Sequence, residues 1–320
     1  MAFPNVSDII ATTIESRSKK VADNVTDNNA LLKTLDSKDK VKPFTGGSKI
    51  FQELSFAENS NAGWYSGYDL LPVGVSDVIS AAEYDIKQAA VPVVISGLEM
   101  LQNSGKEQII DLIEARLTVA ENTMKNLVCT GLYSDGTGAG GKEIGGLDLL
   151  VPVDPTTGTA GGIDRATFEF WRSKVETTVA ITAANVQQTM NAMWASLVRG
   201  TDKPDVIVMD DVFWGFYVAS LQAQQRFNNA DVGDLGFPQL MFMGTPVILD
   251  GGIGGNSTSG TCYFLNCDYM FYRPHRDRNM VPLSPNRRYA TNQDAEVQIL
   301  ACAANLTASG LQFQGRIVTA

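Results

Sequence analysis

One histidine, four cysteines and no basic excess are what this chain of 320 residues has little of. Each shortage excludes a class of chemistry. A single histidine excludes His-rich metal sites and the H-E-x-x-H signature. A Ser-His-Asp triad would have to use His275, which lies in Arg273-Pro274-His275-Arg276-Asp277. Arginines on both sides oppose the imidazolium such a mechanism needs, and no G-x-S-x-G nucleophile elbow occurs. His275 therefore reads as a solvated or interface residue.

The cysteines, Cys129, Cys262, Cys267 and Cys302, form no C-x-x-C and no dense framework. They read as buried thiols of a reducing cytoplasm. Cys262 and Cys267 stand five apart without a second ligand pair, which does not make a zinc site. Asp plus Glu number 35 against 25 Lys plus Arg, a formal charge of −10. Such a surface repels phosphate and excludes a whole-surface nucleic-acid binder. An acidic wall around packed nucleic acid, which would keep the two from sticking, is compatible with it.

Long apolar runs are also missing. The N-terminus, Met-Ala-Phe-Pro-Asn-Val, has no basic stretch ahead of an apolar core and is not a secretory signal. The uncharged stretch from Thr177 to Val198 is long enough to span a bilayer. It carries Asn185, Gln187, Gln188, Thr189 and Asn191, however, and burying those amides in lipid is costly. It reads as a soluble amphipathic helix, and the protein as one made in the cytoplasm.

What is present is ordinary globular composition, 44 % apolar and 19 % charged, at a length that suggests about two domains. Residues 1–45 are polar and weakly patterned, with Val21, Val25 and Leu32 loosely at helical spacing. They read as an arm that needs a partner surface. From Lys49 the period changes to two, through Ile50, Gln52, Leu54 and Phe56. A second β-rich run, Ala89 to Ser96, follows a long polar excursion holding Trp64, Tyr65 and Tyr68. Two strands around such an excursion predict an extended hairpin or loop, longer than an ordinary connection needs.

Ser104-Gly105-Lys106-Glu107 has the capping-box form. Ile109, Ile113, Leu117, Ala120, Met124 and Leu127 then recur at three- and four-residue steps, and Gly131 is a stop. The spacing predicts one helix over about 104–131, roughly twice the globular mean. Phe168, Trp171 and Val175 suggest a helix after an Asp164 cap. A compact α/β pattern follows. Thr182 is expected to cap a helix with Val186, Met190, Met193 and Leu197 on one face and Gly200 beyond it. Val206–Met209 is a short buried strand. Asp210 or Asp211 is expected to cap a helix carrying Phe213, Tyr217, Leu221 and Gln225. Leu240–Met243, Val247–Leu249, Thr261–Leu265, Tyr269–Tyr272, Val297–Ala303 and Leu311–Val318 are strand candidates.

Two glycine-rich segments invite a nucleotide reading and fail it. Gly136-x-x-x-x-Gly141-Lys142 is followed by Glu143 where a phosphate loop needs Ser or Thr, and it follows a helix where a strand is required. Gly251-Gly252-Ile253-Gly254-Gly255 follows a strand, but Ser257 takes the third glycine's place and no helix pattern follows. No cofactor or metal site is expected. One basic cluster stands out in the acidic chain: Arg273, Arg276, Arg278, Arg287 and Arg288. It reads as a solvated loop or as a set of forked donors for carboxylates of a neighbouring subunit, with nucleic-acid contact the least favoured of the three readings.

The order of elements (polar arm, long excursion, spine helix, α/β insert, closing strands) resembles the major capsid protein of tailed double-stranded DNA phages. The local likenesses are Ile95-Ser96-Gly97-Leu98-Glu99-Met100-Leu101-Gln102-Asn103, Gly145-Gly146-Leu147, Gly161-Gly162-Ile163-Asp164-Arg165 and Asp205-Val206-Ile207-Val208-Met209-Asp210. The resemblance implies an α+β, Hong Kong 97-like capsid fold. Residues 1–45 would be its N-terminal arm and 46–95 an extended loop lying over a neighbour. Residues 96–184 and 263–320 would be a peripheral domain, and 185–262 an axial domain at five- and six-fold contacts. It implies a non-enzymatic subunit that assembles with itself into pentamers and hexamers of an icosahedral or prolate head. Scaffolding, portal and decoration or cement proteins would be partners, and packaged double-stranded DNA would be held without sequence-specific contacts. Trp64, Tyr65, Tyr68 and the five arginines would be inter-subunit contacts. A bacterial encapsulin-type nanocompartment shell shares the fold and is one alternative; an α/β enzyme is the other.

Overall fold

The structure, a computed structural model, describes residues 30–102, 106–221, 240–251, 255–283, 288–289 and 294–319; for 30, 100–102, 106–115 and 288–289 it describes the backbone alone. Ser104, Gln225, Arg287 and the first 29 residues, Val21 and Val25 included, therefore lie outside the described residues.

The chain opens with helix α1 (Ala30–Ser37), then the pair β1 (Ile50–Ser55) and β2 (Ile79–Tyr84) and the long strand β3 (Lys87–Ser96). A short helix α2 (Gly97–Gln102) leads into α3 (Lys106–Gly131), the expected spine, which ends at Gly131. The ribbon β4 (Thr159–Ala160) and β5 (Ile163–Asp164) precedes β6 (Lys174–Glu176). Then come α4 (Val186–Leu197), β7 (Val206–Met209), α5 (Asp211–Leu221), β8 (Leu240–Phe242) and β9 (Thr245–Leu249). The chain closes with β10 (Thr261–Leu265), β11 (Met270–Pro274), β12 (Val281–Pro282), β13 (Arg288–Tyr289), β14 (Ala295–Ala308) and β15 (Gly315–Val318).

Two sheets organise these elements. The first runs β6-β15-β10-β7-β9-β8. Its central strand, Val206-Ile207-Val208-Met209, is buried at every position, as its unbroken apolar run requires. Val206, Val208, Tyr263 and Leu265 point into the main core, whereas Ile207, Met209, Cys262 and Phe264 point to a second core under α4 and α5. From α4 come Val186, Met190, Met193 and Leu197, the stripe the spacing predicts. Strands β6 and β15 belong to this sheet although they lie outside residues 185–262.

The second sheet is built on β14, fourteen residues long. It pairs with β3 over ten positions on one side and with β11, β12 and β13 on the other. Pro92 lies on this edge strand. Its partner Ile299 gives its carbonyl to Leu283 on the far side, so Pro92 faces outward and its missing N–H costs no ladder bond.

Four local expectations are corrected. Strand 87–96 does not pair back across the excursion: β1 pairs with β2, and β3 pairs with β14. Phe168 and Trp171 lie on no regular helix. Asp164 holds a turn by accepting from the Ala166 amide and the Thr167 hydroxyl, and Glu169–Trp171 is a single 3-10 turn. Val175 leaves as an edge strand parallel to β15. Thr182 is not the cap of α4; Asn185 is, and its side chain turns back to the Thr182 amide and the Ala180 carbonyl.

Candidate inter-subunit surface

The first half of the extended excursion stands on β1, where alternate side chains Ile50 and Leu54 are buried against the main core. Beyond Phe56, which stacks on Phe170, the chain leaves its own subunit. Trp64 and Tyr68 are each 106 % exposed relative to a reference chain, and Leu70, Val73 and Val75 at least 95 %. Tyr65 is 68 % exposed. Local polar bonds shape the loop: Asn61 donates to the Gly74 carbonyl at 2.6 Å, and Asp69 accepts from the Ser66 amide at 2.8 Å. The three aromatics predicted as contacts thus sit together on one projecting loop.

The arginines divide. Arg273, on β11, is half-buried and donates to Gln52 at 3.2 Å, and burial lowers its affinity for the proton. Arg276 and Arg278 lie exposed in the turn beyond it, where Arg278 donates to Gln88 at 3.1 Å. No carboxylate among the described residues pairs with these three. Arg288 is on β13, and Arg287 is outside the described residues. His275, at the root of this turn, packs edge-on against Phe44 at 4.9 Å, and its Nδ1 accepts the Asp277 amide.

Phe44 shows how part of the expected arm is held. Lys42 and Phe44 donate to the Tyr272 and Pro274 carbonyls, adding residues 40–44 beside β11 as a short parallel strand. Leu31, Leu32 and Leu35 of α1 are buried in the main core. Residues 30–44 are therefore ordered by their own subunit.

Sequence reasoning missed the polar network between the first sheet and the segment that follows the spine helix. Arg316 on β15 is 3 % exposed and ion-pairs with Asp148 at 2.7 Å. Its guanidinium lies over the Tyr263 ring, whose hydroxyl donates to the same carboxylate at 2.6 Å. Beside it the Tyr133 hydroxyl, just past the spine helix, donates to Asp250. These residues lie more than 100 positions apart, with no spacing to betray them. Burial raises the Tyr133 and Tyr263 hydroxyls well above the usual phenol range. The arrangement holds two structural units together; it presents no activated nucleophile. Among the described residues, no three of His, Cys, Asp or Glu converge as metal ligands, and no helix is long and apolar enough to cross a membrane.

No protein-family model matches the chain, and none of the curated proteins matches it in sequence. Solved structures do. The chain is similar to a subunit of the cyanophage A-1(L) capsid, with a TM-score of 0.66, 17 % identity, and 88 % of this chain and 90 % of that one covered. This is the Hong Kong 97-like capsid fold. The capsid of a native GTA particle has a similar subunit, with a TM-score of 0.62, 13 % identity and 90 % of each chain covered. So does the holo-SrpI encapsulin of Synechococcus elongatus PCC 7942, with a TM-score of 0.54, 9 % identity, and 89 % of this chain and 87 % of that one covered.

Proposed function

We propose that this chain is the structural shell subunit of a tailed-phage head, assembling with itself into pentamers and hexamers around double-stranded DNA. One observation carries this reading: the loop between β1 and β2 extends five large apolar side chains almost wholly into water. A lone soluble subunit gains nothing from that exposure, and such surfaces mark partner sites. In a shell each copy's loop is covered by the next, so burial and assembly become one event. Arg276 and Arg278, without a carboxylate partner among the described residues, supply charge for carboxylates of a neighbour, and the overall acidity keeps packaged DNA from adhering. Scaffolding, portal and decoration proteins fit this role as partners, with the virion as the destination.

Sedimentation and electron microscopy of the purified chain test the reading. Pentamers, hexamers, sheets or closed shells are expected. A compact monomer at every concentration, with a scaffolding partner also present, would refute it. An encapsulin-type shell, favoured by the similarity to the encapsulin subunit, would be recognised by enclosed protein cargo where nucleic acid is expected.

A further inference from the structure

The glycine-rich loop that fails as a phosphate loop roofs a cavity of about 240 Å³ between the end of α3 and the sheet face of β3 and β14. Leu127, Val128, Ile144 and Ala304 make its walls mainly apolar, and Lys87, Gln88, Lys142 and Glu143 stand among its lining residues. A cavity of roughly 150 Å³ already takes up benzene, so this one has room for an indole. The roof is shaped by left-handed backbone at Ala139, Gly140 and Gly141, with φ of 51°, 71° and 79°. Around Gly140 and Gly141 nothing in the subunit lies within 4 Å of where a Cβ would stand, so the lip is open. Leu127 on the wall is 45 % exposed.

The charges complement the exposed loop of a second copy. Residues 56–78 contain Glu58, Asp69 and Asp77 and no Lys or Arg. Around the cavity, Lys142 has no carboxylate partner among the described residues, and Lys87 donates to the Gly141 carbonyl at 2.7 Å, with the Asp85 carboxylate 3.9 Å away. Glu143 accepts from the Ser134 hydroxyl at 3.0 Å and keeps its charge, so the lining sets two ammonium groups against one carboxylate. The other groove on this face, along Val91–Val94 and Val119, has Arg116 as its cation, already bound to Glu99 at 2.6 Å.

We propose that this cavity is the socket for Trp64 of a neighbouring copy, with Lys87 and Lys142 meeting the acidic loop that carries it. The socket rests on the shell reading and names a contact within it. An ammonium at the rim of an occupied socket also lies where an indole face attracts a cation.

Paired cysteines in the full chain test it, because the native thiols are all buried. Trp64→Cys with Lys142→Cys should give ladders of covalent oligomers when assembled particles are oxidised and run without reductant. Trp64→Cys with Val119→Cys should not. In parallel, acrylamide quenching of wild type against Trp64→Phe should find Trp64 open in the monomer and shielded in the particle. Lys142→Glu should raise the concentration needed for assembly about tenfold. Particles of normal sedimentation that cross-link through the Val119→Cys substitution, or whose Trp64 stays open to quencher, would overturn the socket and leave the shell reading standing. A chain that never assembles would overturn both.

Discussion

Arg316 shows what a buried charge demands. Its guanidinium has Asp148, the Val151 carbonyl and the Tyr263 ring around it. Asp148→Ala would leave the cation buried without its carboxylate, and about 3 kcal/mol of subunit stability should be lost in urea unfolding. The cysteines behave as apolar residues. Burial pushes the Cys267 thiol up to about 12 and raises Cys262 and Cys302. A raised folded-state value favours the neutral thiol, so that contribution is whole below the unfolded thiol's range near about pH 8.5 and fades as pH rises toward about 12. The buried tyrosines Tyr84, Tyr133, Tyr263 and Tyr272 act in the same direction above about pH 10. Thermal scans should find the melting temperature falling steadily above about pH 9, and thiol reagents should label the native subunit only after it unfolds. Gly146 is fixed by space: a Cβ there would stand 2.4 Å from the Leu132 carbonyl carbon. Gly146→Ala should cost about 2 kcal/mol by the same urea measurement.

At the scale of elements, the β1–β2 hairpin separates folding from assembly. Its base is anchored through Ile50, Leu54, Ala82 and Tyr84, whose hydroxyl bonds to Ala308. Gly161, with φ of 58°, lets the neighbouring ribbon lie against Ala82 and Tyr84, and its carbonyl accepts the Glu83 amide. The tip beyond Phe56 makes no core contact. Replacing residues 57–77 by a short glycine-serine turn should therefore leave the melting temperature within a few degrees while abolishing particles in sedimentation. A fold-wide loss of stability would show that the loop belongs to the subunit's own core.

For the whole molecule, the two cores share one sheet, and the Tyr133–Asp250 and Asp148–Arg316 contacts join that sheet to the spine side. The subunit should unfold in a single transition at neutral pH, and shells should respond to salt through Arg276 and Arg278. Reversing both to glutamate should lower particle yield without shifting the melting temperature of the free subunit. Normal yield would assign that turn to solvent.

Much of this was legible in residue order. The α4 stripe, the buried β7 run, the Asp210 cap whose carboxylate accepts the Phe213 amide, and the spine's end at Gly131 follow from local periodicity and cap chemistry, which act within a few residues. Pairing was different. That β3 joins β14, that Val175 becomes a strand, and that Arg316 meets Asp148 depend on segments far apart in sequence. Such contacts are selected by which surfaces the folded chain must bury together, and no local pattern encodes them. The exposed loop lies between the two cases: its aromatics are visible in the sequence, but only the tertiary structure shows them exposed.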